Sequence, residues 1–213
     1  EKTLKMKKLF LLLLLFTNLI FSQTTIFSEN MGIPSGTSPA TKTIVAYNIG
    51  TAPSTFQNIT TLTYSNGAQS NPADIRIASP STTYSGASGN GNVWFTNTSG
   101  AYGFSIESIN ALNYTSLTLE YGYRKERATL HSMFSVDYWD GSTWQTIANT
   151  SSNLFNETIT SGAGWYKAKT LLLPIGAQIN GLKIRFVKTG TIPIRIDDII
   201  LKGTPSCAPP TIS

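Results

Sequence analysis

Between residues 116 and 126 the chain reads SLTLEYGYRKE, with Leu117, Leu119, Tyr121 and Tyr123 on one parity and Thr118, Glu120, Gly122 and Arg124 on the other. A period of two sends successive side chains to opposite faces of an extended strand, so this segment offers one face to a core and one to water. The pattern recurs along the chain, and no window after residue 22 keeps the three-to-four-residue apolar spacing of an amphipathic helix. Strands are expected at 56–65, 73–79, 92–97, 102–109, 166–174, 182–188 and 192–203, with 134–148 a hairpin turning through Asp140-Gly141. One flat sheet of nine or ten such strands would leave a large apolar face wet, so the expected fold is all-β, a two-sheet antiparallel β-sandwich of jelly-roll type. An immunoglobulin-like sandwich is the alternative, without its Cys-Trp-Cys signature here, and a β-solenoid finds no internal repeat.

The first 22 residues follow a different logic. From Met6 the chain reads MKKLFLLLLLFTNLIFSQ: two lysines, an apolar stretch, then a small residue before Gln23, the order of a secretory signal peptide. The apolar run of about 13 residues is short of the roughly 20 that span a bilayer, so no membrane span is expected after cleavage. Removing residues 1–22 leaves twelve basic and ten acidic residues, so the net charge falls from +5 to +2. With no dense basic patch, nucleic acid is not an expected partner. The expected organisation is a signal peptide (1–22), one sandwich module (23–203) and a Pro-rich linker (204–213) whose Cys207 is the chain's one cysteine. That tail reads as the start of a following segment.

Alternation breaks at RIDDIILKG (195–203), because Ile194 and Ile196 lie on one parity and Ile199 and Leu201 on the other. A β-bulge at Asp197-Asp198 would return both pairs to the same core. Carboxylates buried there would cost several kcal/mol, or take up protons, unless something neutralises them.

The succession FSENMG, GYRKE, VDYWDGSTWQTI and RIDDIILKG resembles the galactose-binding-like jelly-roll modules of secreted bacterial proteins, a shape shared with many carbohydrate-binding modules and MAM-type adhesion domains. The resemblance covers residues 25–203. More narrowly, GFSIESINALNYTSLTLEYGYRKE with the Trp-Asp-Gly hairpin is similar to non-catalytic modules beside nucleases, proteases and adhesion domains in exported proteins of Bacteroidetes-type bacteria. It implies a module of recognition or support. In such modules carboxylates near the first and last strands share a calcium ion with backbone carbonyls, and the matching positions are Glu29 and Asp197, with Asp198 completing the shell, capping backbone or facing solvent. Here the first strand lacks the usual run of acids. Ion pairing with Arg195 or Arg185, or backbone hydrogen bonds, is the alternative.

Sugar rings stack on exposed aromatic side chains, which singles out Trp139 and Trp144 at the hairpin mouth, while Trp94 and Tyr102 read as core. Arg124, in the cluster RKER (124–127) near His131, would pair with an acidic sugar or a partner, or else mark a solvated loop. Catalysis finds little support. No G-x-S-x-G elbow accompanies the single histidine, and nothing in the pattern argues that Glu107, Glu120, Glu126 and Asp137 converge as a glycosidase pair would. The function expected is a non-catalytic binding or adhesion module of a secreted protein, with a polysaccharide or glycan as candidate ligand. The alternative is a structural spacer attached to a secreted hydrolase, a nuclease or protease.

Overall fold

The computed structural model describes residues 22–126, 133–155 and 163–206. Residues 1–21, where a signal peptide is expected, lie outside the described residues, as do Arg127, His131 and Cys207. In chain order the elements are β1 (Thr24–Glu29), β2 (Thr41–Thr43), α1 (Ile44–Asn48), β3 (Thr63–Ser65), β4 (Asn71–Pro72), β5 (Asp74–Arg76), β6 (Asn92–Phe95), β7 (Tyr102–Asn110) and β8 (Tyr114–Lys125). They continue as β9 (Phe134–Trp139), β10 (Trp144–Ala148), α2 (Ser151–Leu154), β11 (Gly164–Lys167), β12 (Leu171–Leu172), β13 (Asn180–Lys188) and β14 (Ile194–Pro205). Beyond the nine or ten expected strands stand the six-residue β1 and the pieces β2, β4 and β12 of two or three residues. Among the described residues no helix is long and apolar enough to cross a membrane.

The strands form two sheets of a jelly-roll β-sandwich. The first runs β11-β8-β14-β6-β5-β2, with β1 also on β14 and β12 also on β8. The second runs β10-β9-β13-β7-β3, with β4 beside β7 in a short parallel contact. The apolar parities meet between them. Leu117, Leu119, Tyr121 and Tyr123 of β8 are fully buried, as are Phe104 and Ile106 of β7 and Leu182, Ile184 and Phe186 of β13. Tyr121 meets Phe186 edge-on across the layers, ring centroids 5.1 Å apart.

The expected slip in the last strand is present. Between Asp197↔Gly122 and Ile200↔Glu120, β14 advances three residues against two on β8, and Asp198 adopts φ +51°. Ile194, Ile196, Ile199 and Leu201 all end fully buried. Exposing two of them would cost about 1.5–3 kcal/mol each, more than the roughly 1–3 kcal/mol of one residue held left-handed. β8 lines β14 along one edge, whereas on the other edge β6 pairs with Ile194–Ile196 and β1 takes over from Ile199. The aspartates stand in the gap between those two neighbours.

One expected strand is mostly absent. Of residues 56–65 only Thr63–Ser65 is extended, because the amides of Thr61 and Leu62 both turn back onto the carbonyl of Asn58, at 3.0 and 2.8 Å. That turn drives Phe56 and Leu62 into the core, where Phe56 stacks on Tyr64 at 3.8 Å.

Candidate functional site

The outer face of the second sheet carries the side chains left over when the apolar parity turns inward. Register lays them in two rows. One runs Ser65, Ser105, Arg185, Asp137, Thr146 across β3, β7, β13, β9 and β10. In the other, Thr63 stands opposite Glu107, and Lys183 opposite Trp139, which stands opposite Trp144.

Hydrogen bonds tie the rows together. Glu107 accepts from the hydroxyls of Ser65 (2.5 Å) and Ser105 (2.6 Å) and pairs with Lys183 at 2.9 Å. Burial alone would push its carboxyl up, but these donors together hold it below the usual carboxylate range. Arg185 donates through Nε to Asp137 at 2.8 Å and through Nη1 to the carbonyl of Gly67 at 2.9 Å. Gly67 sits at φ +60°, and a Cβ there would come within 3.0 Å of the Arg185 side chain. Two cations and two anions leave the stripe without net charge.

Trp139 and Trp144 are both half-buried on this face and meet edge-to-face, centroids 5.6 Å apart at 67°. They are not a coplanar pair. The Arg185 guanidinium lies 4.1 Å from the Trp144 ring centre, and the Lys183 ammonium 5.7 Å from that of Trp139. The face offers aromatic C–H surface beside hydroxyls, ammonium and carboxylate.

Arg124 is on the other sheet. Its register row there is Trp165, Arg124, Arg195, Trp94, Asp74 across β11, β8, β14, β6 and β5. Arg124 and Arg195 both donate through Nε to Glu126 at 3.1 Å, and Arg76 lies 3.2 Å from the centre of the Trp94 ring, covering it. Trp94 and Tyr102, expected in the core, are only half-buried.

The aspartate pair is closed over by the segment between β5 and β6. Asp197 is fully buried, and its oxygens accept from the Ser88 hydroxyl (3.3 Å) and the Asp198 amide (2.7 Å). Asp198 accepts from the Tyr84 hydroxyl and from the Ser88 amide at 3.2 Å. Burial, then the neighbouring Asp198 charge, pushes the Asp197 carboxyl well up. Glu29, also fully buried, has a different shell. Its carboxylate accepts from the amides of Met31 (2.9 Å) and Gln57 (2.9 Å), from the Tyr64 hydroxyl (2.6 Å) and from the Asn58 side chain (3.2 Å).

These donors fill the positions a cation would need on Glu29, and Glu29 shares no hydrogen-bond partner with the aspartates. No group of three or more His, Cys, Asp or Glu side chains able to hold a metal occurs among the described residues. The donor set does not fit a calcium ion shared by Glu29, Asp197 and Asp198. Nor do Arg195 and Arg185 neutralise the aspartates, since they serve Glu126 and Asp137.

Sequence reasoning placed the tryptophan pair but not the ion-paired rows beside it. Outward parity in FSIES, VDYW and KIR carried that signal. Tyr84 and Ser88 had none, because a loop reaching a strand more than a hundred residues away leaves no periodicity.

No family model matches the chain, and no curated protein matches it. Among solved structures, the K3 adhesin domain of Lys-gingipain from Porphyromonas gingivalis is 14% identical, TM-score 0.41, over 84% of this chain and 98% of that one. The xylan-binding domain from Paenibacillus barcinonensis Xyn10C is 12% identical, TM-score 0.44, over 87% and 98%. A Stig cyclase from Fischerella sp. TAU is 14% identical, TM-score 0.47, over 87% and 100%. Neither ligand nor activity passes to this chain across such distances.

Proposed function

We propose that this chain is a non-catalytic module of a secreted bacterial protein that holds an uncharged glycan along the outer face of its second sheet. The observation that supports this most is the stripe running from Ser65 and Thr63 to Trp144. Four inter-strand spacings make it about 19 Å wide, a span for an oligosaccharide rather than a single sugar. Its charges are already paired with one another, so an acidic ligand would find no uncommitted cation and a neutral one would meet no repulsion. Trp139 and Trp144 offer ring surface to the C–H faces of sugars, and Glu107 and Lys183 lie within the same rows for hydroxyls.

The same pairing argues against chemistry. Glu107, Glu120 and Glu126 are all held below the usual carboxylate range by cations and hydrogen bonds, so none is poised to give up a proton as a glycosidase acid must. Export rests on the segment that begins at Met6.

Affinity electrophoresis of the full chain through gels containing neutral polysaccharides tests the reading. Retardation by at least one of them, lost in Trp144→Ala, is the expected result. Free migration through every gel would leave the structural spacer as the better account.

A further inference from the structure

A cleft of about 440 Å³ opens between the two sheets where β1, the turn after Phe56, and the β7–β8 connection meet. That volume lies within the roughly 300–1,000 Å³ of small-molecule sites. Its floor is apolar and drawn from the core, with Phe27, Leu62 and Ile109 all buried. Its rim carries the amides of Asn110 and Asn113 and the half-buried ring and hydroxyl of Tyr114.

Unlike the sheet face, the cleft has no charged lining residue among the described residues. Asn110 spends its carbonyl on the Leu112 amide at 3.3 Å. Among the described residues its NH2 group, the Asn113 side-chain amide and the Tyr114 hydroxyl make no hydrogen bond to protein. The rim therefore presents uncommitted donors and acceptors side by side above an apolar floor.

That combination selects a ligand class. A carboxylate or ammonium ligand would shed water here without gaining a counter-charge. A purely apolar ligand would cover the amides without replacing their water hydrogen bonds. A neutral pyranose has hydroxyls that both donate and accept around a C–H face that can lie on Tyr114 and the floor. We propose that the cleft is a second binding site, for one uncharged sugar ring.

The backbone brings this cleft to the end of the stripe. Ser108 on the cleft wall has φ +64°, and its hydroxyl lies 3.1 Å from that of Thr63, which stands opposite Glu107. A ligand seated in the cleft abuts the first residue of the row. The site nevertheless stands on its own lining and does not depend on the sheet-face reading.

The test is amide NMR of the full chain titrated with the methyl glycosides of glucose, galactose, mannose and N-acetylglucosamine. At least one should shift amides between residues 108 and 114. Asn113→Ala and Tyr114→Phe should each weaken that sugar by about tenfold, the loss of one good hydrogen bond. Both sites are at the surface, and a thermal melt confirms that the variants fold. The proposal is overturned if no glycoside shifts those amides, if shifts appear only between residues 135 and 146, or if neither substitution changes the affinity. Retardation by polysaccharide is read separately: with no cleft shifts it overturns this site and leaves the sheet face standing, and cleft shifts without it do the reverse.

Discussion

The Tyr84 hydroxyl donates to the Asp198 carboxylate across 114 residues of chain. The ring reaches that far because Gly122 lies beneath it, where a Cβ would come within 2.0 Å of the phenolic oxygen. Gly122 faces Asp197 in the ladder, so one bare position on β8 admits the clamp that closes over the bulge of β14. Tyr84→Phe removes the donor and keeps the ring. It should lower unfolding free energy by about 1.5–3 kcal/mol, the worth of one hydrogen bond to a charged acceptor, since the Ser88 amide still donates to Asp198. Gly122→Ala should cost at least as much by pushing the ring aside. Urea midpoints of the two variants decide it, and an unchanged midpoint for Tyr84→Phe removes the clamp.

The two kinds of carboxylate set opposite pH dependences. Asp197 is pushed up by burial and by Asp198, so the folded state binds a proton more tightly than the unfolded chain. Its contribution is full below the ordinary aspartate value and is lost as pH rises toward the raised one. Glu107, Glu120 and Glu126 are pulled down, so their contribution is present above the ordinary glutamate value and is lost on acidification. Stability should therefore climb out of the acid range and then decline. Asp197→Asn, neutral at every pH, should flatten the decline and leave the climb. A decline of equal slope in that variant assigns it elsewhere.

Chelation should do nothing. Glu29 is satisfied by amide and hydroxyl donors, and the aspartates by Tyr84, Ser88 and their own backbone. The melting temperature of the full chain in excess EDTA should match that in millimolar calcium. Glu29→Gln turns an NH2 group toward the donors around it and should cost about 1–3 kcal/mol in both buffers. A calcium-dependent rise in melting temperature that Asp197→Ala abolishes would show that a cation displaces these donors.

The legible part of the chain was what local periodicity encodes. The parity of 116–126 gave β8, the phase slip in RIDDIILKG gave the bulge, and Asp140-Gly141 gave the hairpin that sets Trp139 against Trp144. Where long-range contacts decide, the reading failed. FQNITTLTYS has the composition of a strand but is turned at Asn58 by its ties to Ser28 and Glu29. Arg124 sits next to polar residues in sequence, yet register sends it to the sheet opposite the tryptophans. The aspartates were recognised as needing neutralisation, but their partners come from a loop with no pattern of its own.

Arg185 connects the stability of the second sheet to its recognition surface, and its replacement should separate the two. The guanidinium neutralises Asp137, whose side chain is 6% exposed against 15% for Arg185, and also lies against Trp144. Breaking a fully buried pair costs about 3–5 kcal/mol, and the partial exposure of this one puts Arg185→Met toward or below the lower figure. Removing both charges in Arg185→Met/Asp137→Leu should recover most of that loss, because no unpaired carboxylate remains. Glycan retention should not recover with it, since the cation that orients Trp144 is still missing. Urea denaturation and affinity electrophoresis of the wild type, both single variants and the double variant supply the two readouts. Retention that returns in step with stability in the double variant would mean that Arg185 serves only to hold the sheet together.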